Sequence, residues 1–248
     1  MKWINNILPE TNLQKFIFIF LPFACGYFLS YLYRSTNAVL APYLSSDLNL
    51  NAEQLGLITS AYFLTFGLFQ LPLGVLLDKY GARKVQSILF LIAAIGAILF
   101  SLGNDVWSLV TARGLIGLGV SGALMAAFKA FAVWFPKERL PLLIGLFMSA
   151  GGMGAIVAST PLEMALQITD WRGVYLFIGI VTIFVGLLVF FVVFLLINFL
   201  PNGPFFLTHL PVDGFKILSI GHNLLVLLVL VLLVLVLLVL VLVLLVLV

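Results

Sequence analysis

Gly74-Val-Leu-Leu-Asp78-Lys-Tyr-Gly81-Ala-Arg83-Lys84 places four charged residues and two glycines between two long apolar runs. Of the 248 residues, 64% are hydrophobic and 8% charged, and the mean hydropathy is +1.28. A water-facing exterior needs more polar cover than that. Apolar runs of about 20 residues match the hydrocarbon thickness of a bilayer, and they recur on both sides of this turn. The chain therefore reads as an all-α polytopic membrane protein, with the quoted stretch as a turn between its second and third spans.

The net charge of +3 does not indicate nucleic acid, because the basic residues are scattered into short turns between spans. The single cysteine, Cys25, excludes an intramolecular disulfide framework. His209 and His222 lie in the C-terminal stretch, away from any metal-ligand spacing. Neither a cofactor nor a metal is expected, and no nucleophile has a base at credible spacing, so an enzyme is not expected.

The first span covers 16–44 and reads as uncleaved. It carries Arg34 at its centre, where an ionisable group usually faces a bundle interior or a wet cavity. Helical spacing sets Tyr27, Tyr31, Arg34, Ala38 and Ala41 on one face, with Ser30 and Asn37 beside them. This is read as a solute-facing stripe with Arg34 as an anion anchor; the alternative is an arginine paired to a neighbouring helix. The second span, opened by an Asn51/Gln54 capping box, presents Gly56, Ser60, Gly67, Gln70 and Gly74 as a stripe for tight helix packing. The third, 85–103, is uncharged and expected to face lipid.

The fourth span, 106–135, carries Arg113 and Lys129, about 160° apart around a helix, so the two need not share a face. For Lys129 a cavity position and snorkelling toward the interface are both open. The fifth span follows the basic turn around Lys137 and Arg139. It ends near Glu163, where interfacial solvation explains the carboxylate more simply than proton coupling. The sixth begins after the turn containing Arg172.

With a cytoplasmic N-terminus, Lys2, Lys15, Lys79, Arg83, Lys84, Lys137 and Arg139 fall inside and Arg172 outside. The positive-inside rule then places the quoted turn in the cytoplasm of a cell whose inner (plasma) membrane holds the protein. A shift of 89 positions lays Gly56, Leu57, Ser60, Ala61, Pro72 and Leu73 over Gly145, Leu146, Ser149, Ala150, Pro161 and Leu162. The two spans run oppositely, which suggests two inverted three-helix repeats.

The pattern Gly74-x-Leu76-x-Asp78-Lys79-x-Gly81-x-Arg83-Lys84 resembles the signature loop of the major facilitator superfamily. Leu109-x-x-x-Arg113-x-x-x-Gly117-x-Gly119 is similar to that superfamily's fourth-helix motif, with Ile116 in place of the usual polar residue. The likeness covers about 16–194, although the fifth helix lacks the Gly-Pro pair of the antiporter motif. The resemblance implies a six-helix N-terminal half, a central cavity lined by the first and fourth helices, and secondary transport of a small polar or anionic solute by alternating access, with a coupled proton or other ion. It makes Tyr31, Arg34, Asn37, Arg113 and Lys129 substrate-cavity candidates. Gly74, Asp78, Gly81, Arg83 and Lys84 become a conformational gate, latching a helix of a second half.

The domain reading is 1–199 as a six-helix unit, 200–222 as an irregular linker, and 223–248 as a low-complexity Leu/Val segment long enough for a seventh apolar helix. The change of character after Phe199 suggests a truncated or frame-shifted half ending in a translated simple repeat. A missing C-terminal half or a second copy would then be needed for a complete pathway. A non-transporting remnant or a membrane interaction partner is the alternative function.

Overall fold

In the computed structural model, residues 16–199 are described, with side chains through 191. The expected linker, the Leu/Val segment, Lys2 and Lys15 lie outside the described residues. The chain divides into two compact units, Met1–Phe190 and Phe191–Val248.

A π-helical turn, Phe16–Phe20, leads into α1 (Leu21–Leu48), which ends at Asn49 in the left-handed conformation, φ 53°. Helix α2 (Ala52–Leu102) opens on the expected capping box, with Asn51 and Gln54 each accepting the other's backbone N–H. Helices α3 (Val106–Val120) and α4 (Ala123–Trp134) together make the fourth span. The fifth comprises α5 (Leu140–Val157) and the short α6 (Thr160–Ala165), and α7 (Trp171–Phe199) is the sixth. Among the described residues five helical segments are long and apolar enough to cross a membrane.

At 51 residues α2 is far longer than one crossing needs. Its interior departs from helical geometry at Gly81, φ 80° and ψ 156°, a conformation that glycine adopts without steric cost. The neighbours show what this does. Along the first leg, 52–80, Thr65 bonds Gly114, Gln70 bonds Ser121, and Lys129 bonds Leu77, so this leg runs in the same direction as the fourth span. Along the second leg, 82–102, Gly122 lies beside Leu89, Gly119 beside Ala93, and Gly96 beside Ile116, so that leg runs the opposite way. The expected turn is one residue long, and α2 folds back on itself there.

The described loops therefore gather at two ends. Lys79, Arg83, Lys84, Lys137 and Arg139 lie at the end with Gly81. At the opposite end Arg172 donates to Asp47, to the Gly103 carbonyl (3.2 Å) and to Asn104 (3.0 Å), and Trp171 Nε1 donates to the same Asp47 carboxylate (3.1 Å). One arginine thus ties the end of α1, the α2–α3 loop and the start of α7. This cluster borders a cleft of about 420 Å³ lined by Tyr43, Ser46 and residues 166–172.

Two expectations are corrected, and one packing stripe is uncovered. The small-residue stripe of the second span is exposed: a Cβ on Gly56, Gly67 or Gly74 meets nothing within 4 Å. Among the described residues no helix lies on Gly56, Gly67 or Gly74, while Gln70 of the same stripe reaches Ser121 O, and the close approaches use other glycines. A Cβ at Gly117 would come 2.2 Å from Tyr62 O, at Gly119 2.3 Å from Ala93 N, and at Gly154 2.3 Å from Phe28 O. The third span turns only Ile88, Leu91, Ile95, Leu99 and Leu102 outward, while Leu89, Ala93, Gly96, Ala97 and Phe100 pack inward. The fourth span is not continuous but breaks at Ser121 and Gly122.

Candidate functional site

The face of α1 marked by sequence is covered in part, with Tyr27 and Ser30 buried and Ala41 half-buried. Tyr31 and Arg34 are half-buried, Ala38 is exposed, and Asn37 lies mostly inside. The Arg34 guanidinium rests on two rings, 4.9 Å from the Tyr31 centroid and 5.1 Å from that of Phe66 on the first leg of α2. Such contacts hold a cation without neutralising it. Tyr27 Oη lies 3.4 Å from both Tyr31 Oη and Met148 Sδ, which brings α5 to the same face. Asn37 Nδ2 donates to Thr59 Oγ1, which itself donates to Leu55 O at 2.8 Å. That chain orients the amide and leaves Asn37 Oδ1 without a protein partner.

Arg113 occupies different ground. It is 1% exposed, its Nη1 donates to Tyr33 O at 3.1 Å, and its Nε and Nη2 have no protein partner. The rings of Phe100, Tyr175 and Tyr62 surround the guanidinium at 5.3, 5.5 and 5.8 Å. Tyr33 in turn shares a 2.9 Å hydroxyl bond with Thr182. This arginine is enclosed between α1, both legs of α2 and α7, and shares Tyr62 as a neighbour with Arg34.

Lys129 stands at the basic end, donating to Leu77 O at 2.8 Å and to the Asp78 carboxylate. It is thereby joined to the loop residues, of which Gly74 and Lys84 are exposed and Gly81 forms the reversal. The Arg83 guanidinium lies 5.2 Å from the Phe190 ring centroid, and Arg83 O accepts from Ser87 Oγ at 2.8 Å.

The five cavity candidates thus separate into an open set, Tyr31, Arg34 and Asn37; a core residue, Arg113; and a loop partner, Lys129. Phe66, Thr59 and Met148 were missed in the sequence. The aromatic spacing Tyr62-x-x-x-Phe66 was a usable signal for the first of them. The described acidic residues, Asp47, Glu53, Asp78, Asp105, Glu138, Glu163 and Asp170, all sit at or near helix ends. No described carboxylate lies at the depth of Arg34 and Arg113, so among the described residues these two charges have no acidic partner.

The model of the Major Facilitator Superfamily matches residues 23–248, and the chain belongs to that family. It is a multi-pass membrane protein. The chain is 29% identical over 63% of its length to the probable sulfoacetate transporter SauU of Cupriavidus necator. It is 27% identical over 62% to the hexuronate transporter of Escherichia coli strain K12, and 27% over 64% to the probable L-galactonate transporter of the same strain. The matched stretch spans 36%, 36% and 35% of those relatives. Among solved structures it matches a bacterial homologue of the human lysosomal transporter Spinster, in an inward-facing and occupied conformation. The TM-score is 0.61 and the identity 19%, over 69% of this chain and 43% of that one.

Proposed function

We propose that the protein is part of a secondary transporter that moves a small organic anion across the inner (plasma) membrane by alternating access, with its N-terminus in the cytoplasm. The observation that carries this reading is the half-open Arg34, held on Tyr31 and Phe66 with no described carboxylate beside it. A guanidinium in a low-dielectric cleft attracts anions and pairs bidentately with a carboxylate or sulfonate. Asn37 Oδ1 and the Tyr31 hydroxyl supply hydrogen bonds for a polar solute. Arg113 adds to the potential from within the core, and Lys129 belongs to the gate with Asp78. The relatives carry hexuronate, galactonate and sulfoacetate in their names, which agrees with this chemistry.

A complete pathway in this reading takes a second helical unit, either further chain or a second copy, seated on the exposed stripes of Gly56, Ser60, Gly67 and Gly74 and of Gly145, Ser149 and Gly152. A coupled proton or other ion accompanies the solute. Proteoliposomes holding the protein are expected to take up a labelled hexuronate or sulfoacetate, with uptake abolished in Arg34→Ala and retained in part in Arg34→Lys. Equal uptake by Arg34→Ala removes Arg34 from the site. Saturable binding without uptake identifies a chain that recognises solute but needs a second unit to move it.

A further inference from the structure

Gln86, on the second leg of α2, is 0% exposed, and neither its Oε1 nor its Nε2 has a protein partner. The amide is aimed at the break in the fourth span. Its Oε1 lies 2.9 Å from where a Cβ on Gly122 would stand, with Leu89 and Leu73 as the other neighbours. Gly122 is the N-cap of the 12-residue α4 and supplies no side-chain cap. The opening N–H groups of a helix have no intrahelical acceptor. The carbonyl side of the break is better provided for: Gln70 Nε2 donates to Ser121 O at 3.0 Å, while Ser121 Oγ and N donate to Leu118 O. Unmet hydrogen bonding therefore concentrates on Gln86 and the first turn of α4.

We propose that this break is a buried water site, with water bridging the Gln86 amide to the N–H groups that open α4. The ligand class follows from what the site presents. Gln86 offers one acceptor and two donors, and the helix opening offers donors only. An anion would satisfy the donors and leave Oε1 bare, and a metal ion would bind Oε1 while facing the positive end of a helix. Water accepts from the N–H groups and donates to Oε1, as buried waters do among otherwise unmet polar groups. The one charged residue of α4, Lys129, is already engaged by Asp78 and Leu77. Hydration would let α4 bend against α3 without stranding backbone groups in a dry interior, making the fourth span a lubricated hinge between Arg113 and Lys129.

The test uses the full chain, isotope-labelled in lipid bilayers, and water-edited solid-state NMR. Magnetisation is expected to pass from water to the Gly122 and Ala123 amides and the Gln86 side chain, and not to Ile116 or Ala127 within unbroken helix. Gln86→Met, apolar and of similar length, is expected to lose the transfer at Gly122 and Ala123. Absence of transfer in the wild-type chain overturns the proposal. So does transfer that persists unchanged in Gln86→Met. Should that variant fail to insert, the wild-type spectrum decides alone.

Discussion

Lys129 holds Asp78 across 51 positions of sequence, and the same ammonium donates to the carbonyl of Leu77. One side chain of α4 thereby fixes both the last turn of the first leg and the acidic residue of the charged loop. The pair is largely open to solvent on the Asp78 side, so its coupling is expected to be about 0.5 kcal/mol, as for other exposed pairs. A double-mutant cycle of Lys129→Met and Asp78→Asn, read by thermal unfolding in detergent, checks this. Strictly additive effects would mean that the contact carries no coupling.

The two arginines separate by what surrounds them. Arg113→Ala leaves a large hole among Tyr62, Phe100 and Tyr175 and is expected to destabilise the bundle by about 2–5 kcal/mol. Arg113→Met fills most of that volume and removes a buried charge, so it is expected to stay within about 1.5 kcal/mol of wild type or exceed it. Melting curves of the two variants give the comparison. A loss in Arg113→Met as large as in Arg113→Ala would show that the ring contacts outweigh desolvation of the guanidinium.

Two sets of glycines should respond oppositely to alanine. Gly117→Ala and Gly119→Ala drive a methyl into the backbone of Tyr62 and Ala93, with expected losses of about 1–3 kcal/mol or more. Gly56→Ala and Gly67→Ala meet open space and relieve the flexibility of a helical glycine, an expected gain of about 0.5–1 kcal/mol. Fluorescence-detected size-exclusion after heating distinguishes the sets.

Acid should loosen the start of α3. The Asp105 carboxylate accepts the N–H groups of Ser108 and Trp107, and these bonds, Ser108 foremost, hold its pKa below the ordinary 3.8. A lowered native pKa contributes stability above the unfolded value, which is lost as pH falls through the native one. Amide protection at Trp107 and Ser108 is therefore expected to be constant from neutrality down to about pH 4 and to decline below it. Hydrogen exchange against pH follows the effect, and Asp105→Asn is expected to flatten the profile.

Much of the fold could be read because its cues are local. The Asn51/Gln54 cap, the apolar runs and the loop around Gly81 each depend on residues within a few positions. Close backbone approach at Gly117 and Gly119 is legible from the glycines that follow Arg113, but which helix meets them is not, and Gly56 and Gly67 look the same in sequence yet meet open space. The break at Ser121 and Gly122 carries no proline, and small residues on either side mask it. Arg34 and Arg113 both read as buried charges. Only the surroundings, two rings at an open face against three rings in a closed core, tell them apart, and those come from helices far away in sequence.

The reversal at Gly81 also bears on how the protein enters the membrane. In the folded chain one residue separates the legs of α2, so the two cross the bilayer side by side as a hairpin. The two should insert together as a preformed hairpin, with Asp78, Lys79, Arg83 and Lys84 carried at its tip. That tip would then act as an anchor during synthesis, too polar to be drawn through, committing both legs to one orientation in a single event.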